Sequence, residues 1–374
     1  MAMTNHPDIL YRMALAGIRG MGVELAQRLL DVIPSEKEFF ALSDLDLKGI
    51  TGSRSKVWER SSRDEMLRKA ERELRFVEQN HVQVLYFTDA DFPQRLLNAN
   101  DAPILLYTIG KCNLNSSHMV SIVGTRRSTH YGATFCDRLV EGLSTMLEKD
   151  VVIVSGLAYG TDINAHRAAL RYNVPTVGVQ ACGLNKIYPA EHRNDAAHMV
   201  QQGGAVVSDY TSQDQIHRGN FLARNRIIAA LSDCTVVVES ANKGGALVTA
   251  NIAASYSRDV FAVPGRVSDE FSKGCNRLIM NNQAAAITCA EDLLKAMRWE
   301  SKLIPEEATE LELFPQLTAE QQAVIDLLRK QGDLHINDLA GLMAMPIYRL
   351  MATLVELDTK GLIATLPGCR YSLK

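Results

Sequence analysis

Two arginines occupy a stretch of the sequence that otherwise has the pattern of a phosphate-binding turn. The segment MVSIVGTRRSTHYG (119–132) is an apolar strand that runs into Gly124 and then into a helical pattern. A glycine at such a turn brings backbone N–H groups close to an anion, and the helix N-terminus adds partial positive charge. Arg126 and Arg127 add fixed charge and a planar donor fork that suits phosphate. The stretch therefore predicts an anion site.

A second basic stretch, QIHRGNFLARNRIIAAL (215–231), holds Arg218, Arg224 and Arg226 and no acidic residue. Phe221 lies among these arginines. Basic side chains with an interleaved aromatic ring suit a nucleic-acid strand, because the charges follow the backbone and the ring stacks on a base. The alternative interpretation is that Phe221 belongs to the core and that one arginine forms a structural ion pair.

Polar and glycine-rich segments also follow other apolar strands. Ser155 and Gly156 precede AYGTD (158–162), and Glu239 and Ser240 precede NKGGALVTA (242–250). The carboxyl ends of strands in an open parallel sheet form the ligand crevice, so we expect these segments to meet there.

The sequence does not support a nucleotide cofactor. The turn after Gly124 is not GxGxxG, the second strand ends without an acidic residue, and no GxxxxGK[ST] motif occurs. Ser155, Asp162 and His166 are close in sequence, but the GxSxG elbow of a serine hydrolase is absent. We interpret Asp162 as a helix-cap or turn carboxylate and His166 as a site-lining or packed histidine. Glu239 is a weak candidate for a general acid or base.

The elements that must position these residues alternate between apolar strands and amphipathic helices over 118–297. Near-continuous Val and Ile runs separated by helices indicate a parallel sheet covered on both faces, which is a doubly wound α/β domain. The predicted strands are 119–123, 151–156, 176–181, 204–210, 234–240, 259–265 and a short one at 284–288.

The N-terminal part, to about residue 70, has a helical pattern with two similar turns, GIRGMGVELAQRLL (17–30) and LKGITGSRSKVWER (47–60). Each predicts a helix, a tight turn with glycine and a second helix, as in a helix-hairpin-helix pair whose backbone approaches a DNA phosphate. The alternative is a small helical domain whose glycines serve packing alone.

The remaining segments indicate a bridge, a linker and a third module. Residues 71–110 form a bridge with one candidate strand at 82–87, and residues 305–316 form an acidic, proline-flanked linker. Residues 317–374 predict three helices and a two-stranded wing that turns at Pro367, which is a winged-helix pattern.

Composition is that of an ordinary globular protein. The chain has 374 residues, of which 47% are hydrophobic and 22% charged, and its formal net charge is −3, so any nucleic-acid site must be a local patch. The seven cysteines are scattered and never spaced CxxC, which favours reduced thiols and no metal site. We find no signal-peptide pattern and no apolar run of ~20 residues, and we expect a cytoplasmic protein without membrane contact.

Taken together, the long motifs resemble the DprA/Smf family of DNA-processing proteins, in family order and over most of the chain. The motifs that carry the resemblance are SIVGTRRSTHYG (121–132), VVIVSGLAYGTDINAHRAAL (151–170), TVGVQACGLNKIYPAEHRN (176–194), the segment 220–265 and GCNRLI (274–279).

The resemblance implies a non-enzymatic protein that uses no cofactor and no metal. Family members bind single-stranded DNA on a Rossmann-like domain, form homodimers through it and help to load the RecA recombinase onto incoming DNA during natural transformation. The implied domains are a helical domain similar to SAM or helix-hairpin-helix modules, an extended Rossmann-like domain, an acidic linker and a DML1-like winged helix, at 1–75, 76–298, 299–316 and 317–374.

The resemblance also assigns the site, residue by residue. Gly124 and Arg126 would hold a phosphate, Gly156 would let the strand approach closely, and the segments around Phe221 and Gly244 would line and close the pocket. The full set of expected DNA-binding residues is Gly124, Arg126, Arg127, Ser155, Gly156, Arg218, Asn220, Phe221, Arg224, Asn225, Lys243, Gly244, Gly245 and Thr249.

The chain departs from the family pattern in three places. Gly244 and Gly245 replace a common Ser-Gly pair, and MNNQAAAI replaces a basic residue followed by Gly-Ala after GCNRLI. Residues 300–374 contain eleven Asp and Glu against seven Lys and Arg. A duplex-reading helix needs a basic face, so we expect the winged helix to make protein contacts or to regulate, not to dominate DNA affinity.

Two alternatives remain open at this point. LOG-type phosphoribohydrolases share the fold class and carry PGGxGTxxE with a catalytic Glu, whereas this chain has ESANKGGALVTA without a Glu after the glycines. The second alternative is a Rossmann-like module that binds a small nucleotide and signals through its flanking domains.

Overall fold

The fold is taken from a computed structural model that describes residues 6–52, 55–301 and 317–373. The chain divides into two compact units, residues 1–303 and 304–374. The separate helical domain expected over 1–75 stays a prediction, because the N-terminal helices belong here to the same unit as the sheet. Most of the acidic linker lies outside the described residues.

The first unit combines thirteen described α-helices with a nine-stranded sheet. The helices are α1 His6–Ala16, α2 Val23–Leu30, α3 Glu36–Ala41, α4 Asp44–Thr51, α5 Arg60–Gln79, α6 Gln94–Leu97, α7 His130–Met146, α8 Thr161–Arg171, α9 Arg193–Gln201, α10 Arg218–Leu231, α11 Gly245–Ser255, α12 Lys273–Met280 and α13 Ala290–Met297. The strands are β1 Gln83–Tyr86, β2 Leu105–Gly110, β3 Met119–Val123, β4 Val152–Gly156, β5 Thr176–Val179, β6 Ala205–Ser208, β7 Cys234–Val237, β8 Asp259–Ala262 and β9 Ala285–Ala286.

The sheet order is β1-β2-β6-β5-β4-β3-β7-β8-β9. Within the set β3 to β9, every pair of neighbouring strands is parallel. This confirms the parallel core predicted over 118–297. The edge pair differs, because β1 and β2 are antiparallel to each other and β2 is antiparallel to β6. The sequence interpretation missed β2, whose residues were treated as part of a bridge.

The strand order reverses between β3 and β7. From β3 the chain proceeds through β4, β5 and β6 in one direction, and then returns to the other side of β3 with β7, β8 and β9. Such a switch point opens a crevice at the carboxyl ends of the two neighbouring strands. Here those ends are Val123 and Val237, which are paired in register.

Helices cover both faces of the sheet, and each face has its own apolar core. One core is formed by α7, α13 and the alternate residues of the central strands, with Ile122, Leu139 and Phe261 fully buried or nearly so. The other continues from the sheet into the N-terminal helices, where it includes Leu47 and Phe39. The first hairpin-like segment, 17–30, forms a turn between α1 and α2, whose buried residues belong to this core. The second segment, 47–60, includes residues outside the described ranges.

The second unit is a small three-helix module with a wing. Its elements are α14 Ala319–Gln331, β10 Leu334–His335, α15 Ile336–Leu342, α16 Ile347–Thr359, β11 Ile363–Leu366 and β12 Arg370–Leu373. The wing is the β11–β12 hairpin, and the short β10 adds a third strand that the sequence did not indicate. Leu339, Leu350 and Leu357 fill a separate core. The winged-helix prediction is confirmed.

No single helix in the three described ranges is both long and apolar enough to cross a membrane. The bent pair α15 and α16 passes the same length-and-composition test only when the two helices are taken together.

Candidate nucleic-acid interface

A pocket of about 900 Å³ opens at the sheet's switch point, beside the ends of β3 and β7. Three segments that are far apart in sequence meet there: the turn after β3, the start of α10 and the turn between β7 and α11. This is where the sequence analysis expected the polar segments to gather.

Eleven of the expected DNA-binding residues line this pocket, namely Gly124, Arg126, Arg127, Arg218, Phe221, Arg224, Asn225, Lys243, Gly244, Gly245 and Thr249. The remaining three, Ser155, Gly156 and Asn220, lie behind its wall.

Those three residues hold the wall together. The Ser155 hydroxyl is fully buried and donates a hydrogen bond to the carbonyl of Ile122 at 2.6 Å. The Asn220 amide is buried and donates to the carbonyls of Ala181 and Gln215 at 3.2 and 3.1 Å. A Cβ on Gly156 would overlap the guanidinium of Arg224. The space that we expected Gly156 to leave for a DNA strand is thus taken by a side chain of the protein.

The pocket lining is strongly cationic. It contains Arg126, Arg127, Arg218, Arg224 and Lys243, and Asp162 is its one carboxylate among the described residues. The formal charge of this lining is therefore +4, in a chain whose net charge is −3. A concave cationic surface of this kind focuses a field that attracts a polyanion.

Arg224 and Asp162 form the floor of the pocket. Arg224 is 5% exposed, and its Nη1 donates to the carbonyl of Val179 at 2.5 Å, while its Nε has no hydrogen-bond partner among the described residues. Burial lowers the pKa of Arg224, and the charge of Asp162 opposes that shift. Burial likewise raises the pKa of Asp162 to about 6, against the effect of Arg224. The two groups partly compensate each other's charge.

Glu239 fixes the arginine-bearing turn in place. Its carboxylate accepts hydrogen bonds from the Thr129 N–H at 2.9 Å, the Thr129 hydroxyl at 2.6 Å and the Ser128 hydroxyl at 3.2 Å. In addition, the N–H of Thr125 donates to the Glu239 carbonyl at 2.7 Å. A Cβ on Gly132 would overlap the same carboxylate. The turn after β3 is therefore fastened to the end of β7, and Glu239 acts as a structural clamp.

Two helix N-termini also face the pocket. No side chain of the described residues caps α10 at His217 or α11 at Gly244. Both N-cap residues line the pocket, as does Gly245. A Cβ on Gly245 would meet nothing within 4 Å among the described residues, so the backbone there is open to a ligand. Free N–H groups at helix N-termini suit phosphate oxygens.

Aromatic rings lie beside the charges. Tyr188 and Phe221 contact each other with ring centroids 5.3 Å apart, and the Arg126 guanidinium carbon lies 5.5 Å from the Phe221 ring centre. Tyr188 is 46% exposed. This arrangement offers apolar ring surface next to fixed positive charge, which is the combination that an unstacked base on a phosphate backbone needs.

The side chains considered for catalysis are engaged elsewhere. His166 is fully buried, its ring nitrogens contact the Thr176 hydroxyl at 2.7 Å and the Gly156 carbonyl at 3.2 Å, and burial lowers its pKa to about 4. The Ser155 hydroxyl faces a carbonyl, not this histidine. His166 is thus a packed histidine, and Asp162 lies in the first turn of α8 as interpreted from the sequence.

Several lining residues, above all Tyr188 and His217, are not among the DNA-binding residues predicted from the sequence. His217 belongs to the basic stretch 215–231 and could have been included on charge alone. Tyr188 gave a weaker signal, because its contact partner Phe221 lies in α10, 33 positions later in the sequence.

Two protein-family models match this chain. Residues 83–298 match the family model for DNA recombination-mediator protein A, and residues 308–369 match the DprA winged helix domain. The chain is 35% identical to Protein Smf of Escherichia coli over 287 residues, which is 75% of each chain. It is 36% identical to DNA processing protein DprA of Streptococcus pneumoniae over 55% of this chain and 71% of that protein.

Two solved structures of relatives are similar to it. The X-ray structure of DprA from Streptococcus pneumoniae covers 79% of this chain and 98% of its own, with a TM-score of 0.65 and 30% identity. A structure of DprA from Helicobacter pylori, which concerns that protein's single-stranded DNA binding mode, covers 58% of this chain and 95% of its own, with a TM-score of 0.50 and 31% identity. This chain belongs to the DNA recombination-mediator protein A family, whose members are named DprA or Smf.

Proposed function

We propose that the protein binds single-stranded DNA in the switch-point pocket. The observation that carries this proposal is the +4 lining, which lies in one cavity with two uncapped helix N-termini and the ring pair of Phe221 and the exposed Tyr188. Phosphates would lie against Arg126, Lys243 and the backbone of Gly245. A base would lie against the rings of Tyr188 and Phe221.

A single strand fits this site better than a duplex. The rings of Tyr188 and Phe221 tilt by 57° to each other inside a concave pocket, and stacking on them requires a base that is out of its helix. The contacts are to phosphate and to ring faces, so the binding should be nearly independent of sequence and strongly dependent on salt.

The proposed role has no covalent step. Ser155 and His166 are held by protein partners, and Glu239 is occupied by the turn that it fastens. In this role the protein protects incoming single strands, delivers them to the RecA recombinase during natural transformation and acts in the cytoplasm. It does so as a homodimer, whose two pockets would raise the avidity for one strand.

The first test is a fluorescence-anisotropy titration of a labelled dT oligonucleotide at two salt concentrations. Arg126→Ala/Lys243→Ala removes two exposed cations of the pocket, and Arg138→Ala removes an exposed arginine of α7 outside it. We expect the double variant to lose at least ~2 kcal/mol of binding free energy, because charge-assisted hydrogen bonds contribute ~1.5–3 kcal/mol each. The dependence of log K on log salt should become shallower by ~0.7 for each phosphate that the variant no longer neutralises.

The Arg138→Ala control should bind like the unmodified protein. Equal binding by the Arg126→Ala/Lys243→Ala variant would place the strand elsewhere. Competition by a mononucleotide as effective as the oligonucleotide would favour a small-nucleotide sensor. Release of free base from nucleoside monophosphates would favour a phosphoribohydrolase.

The delivery step needs its own test. We expect the protein to accelerate RecA-dependent ATP hydrolysis on single strands already coated with a single-strand-binding protein, and Arg126→Ala/Lys243→Ala to abolish that acceleration. Sedimentation velocity measures the homodimer. Acceleration that is unchanged in the double variant would separate RecA loading from the switch-point pocket.

A further inference from the structure

The first unit contains a second pocket, of about 1030 Å³, on the far side of the α10 helix. It lies between the α1–α2 turn, α5, the segment that enters β2 and the loop after β6. Its described lining shares no residue with that of the switch-point pocket. The proposal for single-stranded DNA leaves this cavity without a role.

One part of the lining of this second pocket is apolar. Met13, Met21 and Met66 come from the helical side, and Ile104 and Leu105 come from the sheet side. Its size is that of a small-molecule site, and such sites combine apolar walls with a few polar groups that fix the ligand. Methionine side chains adapt to the shape of an apolar chain.

One carboxylate oxygen of the pocket lining has no hydrogen-bond donor in the described part of the chain. It is the buried Oδ1 of Asp209, while Oδ2 of the same carboxylate accepts from Arg226. Tyr107, which is 4% exposed, lines the same pocket. Burial raises the pKa of Asp209, and Arg226 counteracts it only partly. A buried carboxylate oxygen without a donor is costly, so the site favours a ligand that brings one.

The charges of the lining indicate which sign of charge the ligand should carry. Four carboxylates, those of Glu73, Asp101, Asp209 and Asp214, stand against Arg19, Lys69 and Arg226.

Two of these three cations are engaged. Arg226 is held by Asp209 and by the carbonyl of Asp101, and Lys69 pairs at 2.8 Å with Glu65, which lies outside the pocket lining. The floor of the pocket is therefore acidic.

A metal ion does not fit this arrangement. Within the described ranges no group of three or more His, Cys, Asp or Glu side chains is close enough together to hold one. Glu73, for example, is already occupied by the N–H and hydroxyl of Ser212 at 2.5–2.9 Å. A phosphate or nucleotide is disfavoured as well, because its negative charge would face Asp209 and Asp214.

We propose that this pocket binds a small organic cation, a primary ammonium or guanidinium group on an apolar chain. The cationic head donates N–H bonds to Oδ1 of Asp209 and to the Tyr107 hydroxyl. The apolar chain lies along Met13, Met66 and Leu105. The site is independent of DNA binding, because it uses none of the residues of the switch-point pocket.

Isothermal titration of the full chain tests the proposal with hexylamine, agmatine and hexanol as probes. Hexylamine and hexanol have nearly the same apolar body and differ in charge. We expect both amines to bind at one site and hexanol to bind at least ~10-fold more weakly, since a charge-assisted hydrogen bond is about twice as strong as a neutral one and the carboxylate adds Coulomb attraction.

Two variants and one control locate the site. Asp209→Asn keeps an oxygen for Arg226 but removes the charge, and should weaken hexylamine binding roughly 10- to 100-fold. Tyr107→Phe removes only the hydroxyl and should weaken it roughly 2- to 10-fold. Asp91→Asn removes the charge of an exposed carboxylate outside the lining and should leave it unchanged. Anisotropy with dT oligonucleotide should give the same affinity for all three variants, which also shows that they are folded.

Four results would overturn the proposal. Equal binding of hexanol and hexylamine would mean an apolar cavity without a cation site. Unchanged amine binding in Asp209→Asn would place the amine elsewhere. No binding of any amine would leave a hydrated cavity only. Binding of guanosine monophosphate without amine binding would assign the pocket to a nucleotide.

Discussion

At the scale of single residues, two glycines of the site have opposite functions. Gly156 lies at the end of β4, where the missing side chain makes room for the guanidinium of Arg224. Gly245 begins α11, where the missing side chain leaves open space above the backbone of the pocket. The first glycine is required by the protein's own packing, and the second keeps a surface accessible.

Substitution separates these functions. We expect Gly156→Ala to lower the free energy of unfolding by ~1–3 kcal/mol, because neither the strand nor the buried Arg224 can move away from the added methyl group. Gly245→Val should change that free energy by less than ~1 kcal/mol, while its branched side chain weakens DNA binding ~10-fold or more by blocking the helix N-terminus. Urea denaturation and oligonucleotide anisotropy measure the two effects. A stable Gly156→Ala variant with full DNA affinity would contradict the packing role.

We expect Asp162 to make DNA affinity dependent on pH. Its pKa is raised to about 6 by burial, so it is ionised at about pH 7.5 and largely neutral at about pH 5. Losing the negative charge of the one carboxylate of the described lining makes the pocket more positive, and we expect tighter binding at the lower pH.

The same raised pKa means that the folded state holds this proton more tightly than the unfolded chain. The contribution of Asp162 to stability is therefore largest below about pH 4 and falls as pH rises through about 6.

The measurement is an anisotropy titration across this pH range. His217 also lines the pocket, so we would use His217→Gln as the background and Asp162→Asn in the same background as the comparison. The comparison variant should bind nearly equally at both ends of the range. A pH dependence that survives the loss of Asp162 would assign it to another group.

The sequence was sufficient to predict the residues that are exposed at the ends of strands. Arg126 and Lys243 could be predicted because a positively charged side chain at a strand-to-helix turn is typical of an anion-binding site. Ser155 and Asn220 could not be placed correctly, because a strand directs alternate side chains to opposite faces and a helix directs some inward. Only the fold shows that these two polar groups meet backbone carbonyls inside the wall.

At the scale of elements, helix α16 shows why the winged helix differs from a duplex-reading module. Its exposed side includes Ile347, Tyr348, Met351 and Val355. The charged Arg349 pairs with Glu320 of α14. The position of a recognition helix thus presents apolar groups where a DNA reader presents cations.

We expect this unit to contribute little to the affinity for single strands. Arg349→Ala/Lys360→Ala in the full chain should change the dissociation constant for a dT oligonucleotide by less than ~2-fold and leave its salt dependence unaltered, since neither cation lies in the switch-point pocket. The variant Arg126→Ala/Lys243→Ala is the positive control in the same assay. A clear loss of affinity in the winged-helix variant would show that α16 contacts the strand.

Elements with continuous apolar runs were predicted well, and strand β2 was not. The parallel strands β3, β4 and β7 are buried on both faces and read as unbroken Val and Ile runs. Strand β2 follows Pro103 closely and pairs antiparallel with strands on both sides. A proline so close to an apolar run indicates a turn or a loop. The strand that pairs with β2, β6, lies about a hundred residues later in the chain, so the sequence near β2 does not reveal this pairing.

At the scale of the whole molecule, the N-terminal helices and the sheet share one continuous core. Phe39 and Leu47 belong to the same apolar cluster as Leu106 and Val207 of the sheet. The buried Glu73 of α5 accepts hydrogen bonds from Ser212, which follows β6. This core links the helical segment to the edge of the sheet that carries the acidic pocket.

We therefore expect the helical segment and the sheet to unfold together. Native-state hydrogen exchange in increasing denaturant should give the slowest amides of α5 the same free energy of opening as those of β3 and β4, within ~1 kcal/mol. Mass spectrometry of peptides from both regions measures this. A lower value confined to residues 1–75 would establish the separate helical domain that the sequence suggested.

The clamp formed by Glu239 has a kinetic consequence. Because its hydrogen bonds hold the arginine-bearing turn in the unliganded protein, the strand meets a site that is already assembled. The observed association rate should then rise linearly with DNA concentration without a plateau, and long-range attraction should bring it near the diffusion limit at low salt. Glu239→Gln would loosen the turn and add a slow ordering step, visible as saturation of that rate in stopped-flow measurements. A protein that captures passing strands gains from this arrangement, because speed of capture then depends only on how often strand and pocket collide.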